Sequence, residues 1–203
     1  MDFWREKGMP FPARADGVIA IDSCDAEGRP SSFNPRGSIY RPRFVALGES
    51  VRSAFPTTLF DDREDSGYKR TSGNSVATPI AAGIAGLILE FSRQKPLCLE
   101  RSIEGKLKTV RGIKRLFTEQ LSVDPVRQES DTFFVLDINK LFYCTDEFDD
   151  GGDWRETKNG RQPPRLKAAL KIVESLKNEF SDSIGDVMVR EIRKEWMMKY
   201  GES

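Results

Sequence analysis

A serine set among small residues, just ahead of an apolar run, is the feature of this chain best suited to chemistry. The stretch is Ser72-Gly73-Asn74-Ser75-Val76-Ala77-Thr78-Pro79, continuing from Ile80 to Leu89. Gly73 allows a strained turn or a close backbone approach. The change from polar to apolar predicts a helix beginning near Ser75, with Ser75 at the capping position. Pro79 is then expected in the first turn, where its missing amide would have had no intrahelical partner. A hydroxyl there lies at the positive end of the helix dipole beside unpaired amides, a geometry that favours an oxyanion. Ala77, Ala81, Ala82, Gly83, Ala85 and Gly86 read as core material for close packing. A serine becomes a nucleophile when a neighbouring base takes its proton, most often an imidazole, and the chain contains no histidine. The plainer alternative is that Ser75 only caps a buried helix.

The elements that would position this serine lie upstream. Asp16-Gly17-Val18-Ile19-Ala20-Ile21-Asp22-Ser23 reads as a turn leading into a buried strand, and Ser31-Ser32-Phe33-Asn34-Pro35 as a turn. Arg43-Phe44-Val45-Ala46-Leu47-Gly48-Glu49 is a second strand, followed by a short extended piece from Val51 to Pro56. The order of these pieces and the string Gly73, Ser75, Ala77, Pro79 and Gly83 resemble the C-terminal part of the catalytic domain of subtilisin-like serine proteases. The resemblance covers roughly Pro10 to Lys95 and extends more weakly through a helix near Ile103 to Leu121. It implies an α/β fold, a C-terminal portion of a parallel-sheet domain with helices, and serine endopeptidase activity without metal or cofactor. It also implies Ser75 as catalytic nucleophile, with Ser72, Gly73 and Asn74 meeting the substrate.

Two departures mark a divergent, intracellular branch. Leu47-Gly48-Glu49 replaces the family's Ala-Pro-Gly, and Asn74 replaces its threonine. The family's aspartate, histidine and oxyanion asparagine precede the serine, and no residue here matches them. Asp22 and Asp25 follow the first strand but receive no such role. The chain by itself is therefore expected to be inactive. The alternative function is that of an inactive remnant acting as a protein-interaction module.

Length allows one domain with a substantial core. Residues 1–145 are read as the partial catalytic domain, 146–164 as an acidic, Gly- and Pro-bearing linker and 165–203 as a helical appendage. The appendage holds an amphipathic helix from Arg165 to Phe180 and another from about Ile184 to Tyr200. Asp131 to Ile138 is expected to be the closing strand, by position. A sheet without its earlier strands would expose an edge, so a protein partner covering that edge is expected beside a peptide or protein substrate.

Charge gives no case for nucleic acid, since 32 basic side chains balance 32 acidic ones. No stretch reads as long enough to cross a membrane, Ile80 to Leu89 being about half of what a helix needs. The start lacks a signal pattern, and cytoplasmic localisation is expected. Cys24, Cys98 and Cys144 suggest neither a disulfide framework nor a zinc site. The acidic runs from Phe60 to Gly67 and from Asp146 to Asp153 read as solvated loops, not calcium sites.

Overall fold

The computed structural model describes residues 11–35, 42–56, 67–99, 101–122, 126–128, 131–142, 164–177 and 182–200. The chain divides into two compact units, residues 1–83 with 124–136 and residues 84–123 with 137–203. The expected linker falls outside the described residues except for Pro164, and both acidic runs fall outside them apart from Gly67.

The first unit is built on a four-stranded sheet in the order β1 (Ile21–Cys24), β2 (Arg43–Leu47), β6 (Asp131–Val135), β5 (Val126–Gln128). Strands β1, β2 and β6 run parallel, and β5 pairs antiparallel with β6. Phe44, Val45 and Ala46 are consecutive and all buried, as in a strand covered on both faces. The fold is thus α/β with a mainly parallel sheet, as expected. β6 is the last strand in chain order among the described residues, and β5 pairs with its outer side. A separate antiparallel ribbon pairs β3 (Val51–Ala54) with β4 (Tyr68–Thr71).

The outer edge of β1 is not bare. At Ser23, Asn34 acts as a strand in miniature: its Oδ1 accepts from the Ser23 amide at 3.0 Å and its Nδ2 donates to the Ser23 carbonyl at 2.8 Å. The Ser31 amide also donates to that carbonyl, and the Ser31 hydroxyl donates to the Ser23 hydroxyl at 2.8 Å. All three residues are buried, so each hydrogen bond also removes a desolvation cost.

Helix α1 (Asn74–Ser92) begins in this unit. Ala77, Ala81 and Ile88 are buried, at helical spacing along one face. Ala82, Gly83 and Gly86 are exposed, which corrects their reading as core. They share the opposite face with Ser75, Thr78, Pro79 and Leu87, and Leu87 is 52% exposed. α1 is also long and apolar enough to cross a membrane by length and composition, correcting the expectation that no stretch is. The apolar run alone is short, but Asn74, Ser75 and Thr78 lengthen it without adding charge, and Glu90 is the helix's single charged residue.

The second unit is helical: α2 (Arg101–Leu107), α3 (Val110–Leu116), a π-turn over Phe117–Leu121, α4 (Asn139–Phe142), α5 (Pro164–Leu176) and α6 (Asp182–Tyr200). The helix expected from Ile103 to Leu121 is broken. Thr109 caps α3 by accepting from the Gly112 amide at 3.0 Å. A Cβ on Gly112 would lie 2.2 Å from the Lys106 carbonyl oxygen, a crossing that a continuous helix could not make. Ala168, Ala169, Ile172, Val173 and Leu176 of α5 are buried, and α5 packs against α3, α4 and α6.

Candidate active site

The turn between β4 and α1 owes its shape to two glycines. Gly73 adopts a φ of 152°, open to glycine but strained for other residues. Its amide donates to the Gly48 carbonyl at 2.8 Å, and the Gly48 amide donates to the Cys24 carbonyl at 3.0 Å. Gly48 is therefore clasped between the end of β1 and the turn. A Cβ there would come within 2.4 Å of the Ser23 hydroxyl and 2.9 Å of the Gly73 carbonyl oxygen.

The expected quartet is contiguous, and its members have distinct partners. The Ser72 hydroxyl accepts from the Ser50 amide at 2.9 Å. Ser50 has a φ of 54°, and its carbonyl accepts from Arg70 Nη1 at 2.8 Å. Ser72 thus ties the serine turn to the loop after β2. Asn74 reaches the other way: its Nδ2 makes a long contact of 3.4 Å to Asp22 Oδ1, while its own Oδ1 is buried without a partner.

Ser75 is not the helix cap. The Gly73 carbonyl accepts from the Val76 and Ala77 amides at 2.9 and 3.2 Å, so Gly73 caps α1 and Ser75 is its second residue. The Ser75 hydroxyl is exposed and has no hydrogen-bond partner among the described residues. The amides of Asn74 and Ser75, at the start of the helix, have no carbonyl within it to serve. Pro79 is in the second turn, not the first, and lacks the amide that would have bonded the Ser75 carbonyl.

Behind the turn lies a charged pair that the sequence reading did not identify. Arg43 Nε donates to Asp22 Oδ2 at 2.8 Å, with the two side chains 1% and 4% exposed. Arg43 also donates to the Pro35 carbonyl at 2.6 Å and lies 4.6 Å over the Phe133 ring. The signal was a carboxylate inside an apolar strand, which calls for a cation nearby. Next to Asp22 and Ser23, Cys24 is buried, and burial, helped by the Asp25 and Glu49 carboxylates, raises its thiol to about 11.

The model of the subtilase family matches residues 5–116, more than half of the chain. Thermitase of Thermoactinomyces vulgaris is 36% identical over 83 residues, covering 41% of this chain and 26% of thermitase. Subtilisin DY of Bacillus licheniformis is 34% identical over 79 residues, covering 39% of this chain and 25% of its own. The chain therefore spans about a quarter of the length of these relatives. The solved prenylagaramide maturation protease PagA is 25% identical and aligns with 64% of this chain and 43% of its own at a TM-score of 0.47. On the family match and the two protease relatives, this chain belongs to the subtilase family.

Proposed function

We propose that the chain is part of a subtilisin-like serine endopeptidase in which Ser75 is the nucleophile. The observation that carries this reading is the Ser75 hydroxyl, exposed and unpartnered in the first turn of α1 while Gly73 does the capping. A serine that only capped the helix would spend its oxygen on those amides. In this reading Ser75 attacks a peptide carbonyl to form an acyl-enzyme, and the amides of Asn74 and Ser75 face the developing oxyanion. Ser72 and Gly73 hold the turn that meets the substrate. The aspartate, the histidine and the side-chain oxyanion donor come from polypeptide beyond these 203 residues.

Without a base the chain should be silent. In subtilisin, the measured case, losing the serine or the histidine alone lowers turnover by about two-million-fold. The test is to recover the native protein from its cells, measure its intact mass and treat it with a fluorophosphonate. A longer protein labelled at Ser75 supports the reading. A native chain of 23.0 kDa that resists labelling sinks it.

A second reading, a non-catalytic module that binds a protein partner, is favoured by the exposed face of α1 around Gly83, Gly86 and Leu87. Such a chain would co-purify with its partner and stay unlabelled. Cytoplasmic placement forms part of the proposal, supported by the free thiols of Cys24 and Cys98. Fractionation with the secreted pool would overturn it.

A further inference from the structure

The ribbon of β3 and β4 feeds directly into the serine turn, and it sets two like charges face to face. Arg52 and Arg70 stand directly opposite each other in the antiparallel register, so their side chains leave the same face. Like charges so placed repel, and that cost is ordinarily relieved by a carboxylate nearby. None pairs with either arginine, or with Lys69, among the described residues. Elsewhere Arg29 meets Asp25 and Glu27, Arg93 meets Glu90 and Glu104, and Arg115 meets Glu119.

The open cations are held in place by other means. The Arg52 guanidinium sits 4.3 Å over the Tyr68 ring, and Lys69 Nζ lies 5.1 Å from the Phe55 ring. Arg70 is anchored on the Ser50 carbonyl, and the Ser50 amide is anchored on Ser72. Stacking and a single carbonyl fix these groups while leaving most of their N–H donors unused. The Arg52–Arg70 pair stands at the Ser72 end of the ribbon, whereas the connection between the strands leaves from the other end, past Phe55 and Gly67.

We propose that Arg52 and Arg70 form a carboxylate clasp that selects peptide substrates with acidic side chains close to the bond presented to Ser75. A Glu or Asp side chain of an extended peptide would accept from both guanidinium groups and relieve their repulsion. Net charge is zero, so this preference comes from a local pair and not from a general field. The inference rests on the protease reading for its choice of ligand, but its test does not use catalysis.

Two fluorescent decapeptides, one alternating Glu with Ala and its twin alternating Gln with Ala, are titrated with the 203-residue chain by fluorescence anisotropy at low ionic strength. The Glu peptide should bind about tenfold tighter, the size expected of a charge-assisted hydrogen bond. Arg52→Gln should bring the ratio close to one. Arg29→Gln, which removes the same charge from an already paired site, should leave it unchanged, and a urea melt verifies that both variants are folded. Equal affinities, no binding of the Glu peptide, or a ratio untouched by Arg52→Gln would overturn the clasp. So would single-stranded RNA displacing the peptide with the same dependence on Arg52. Ser75→Ala should keep the Glu preference in full, so loss of the nucleophile and loss of the clasp are read separately.

Discussion

The parallel sheet and the ribbon beside it use arginine in opposite ways. In the sheet, Arg43 is buried, bonded to Asp22 and to the Pro35 carbonyl and stacked on Phe133. In the ribbon, Arg52 and Arg70 are exposed and face each other without a carboxylate among the described residues. A charge in low dielectric must be fully partnered to be tolerated, while a charge at the surface can be left open at little cost in stability. Where the molecule leaves a cation open, the reason is therefore to be sought in what it meets, not in what it supports.

The sharpest way to break this contrast is to remove the buried cation. Arg43→Met leaves Asp22 uncompensated and should lower stability by about 3–5 kcal/mol, read from the shift in urea midpoint. A loss under 1 kcal/mol would mean that Asp22 is solvated after all, and the contrast would fall. Next in size is the Cys24 thiol at the end of β1. Its folded value is raised from 9.0 to about 11, so the folded state holds the proton more tightly than the unfolded chain does. The stability this contributes is complete below pH 9 and is lost as pH rises towards about 11, an effect of up to about 2–3 kcal/mol. Urea melts across that range should show the loss in the native chain and a smaller one in Cys24→Ala. The smallest effect belongs to the ribbon. Arg52→Gln should change the melt by no more than about 0.5 kcal/mol, because the repulsion it removes is offset by the stacking on Tyr68 that it gives up. A destabilisation of 2 kcal/mol or more, well above that of about 0.5 kcal/mol expected for a surface site, would give Arg52 a structural role and undo the comparison.

The same contrast explains what could be read from the chain alone. The serine turn is legible through the backbone rule that Gly73 carries and β2 is legible as an apolar run, whereas the rules attached to Ser75 and Pro79 misplace the cap and the proline. The Asp22 ion pair is not legible in the chain, since it depends on the parallel alignment of β1 with β2, and nothing local specifies register. The ribbon was half seen. Val51 to Ala54 read as extended, but its partner Tyr68–Thr71 is polar and gave no periodic signal. The helix start was misjudged by one or two positions because a glycine carbonyl can cap without any side chain to announce it.

Asn34 has a wider consequence through its two bonds to Ser23. A side-chain amide satisfies that stretch of β1 as a neighbouring strand would, but it ends there and presents no further row of donors and acceptors. Pairing cannot propagate outward from a group with no second edge. At Ser23 the sheet is terminated by chemistry instead of by bulk, so fibre growth by stacking one molecule's strand on the next has no seed at that position.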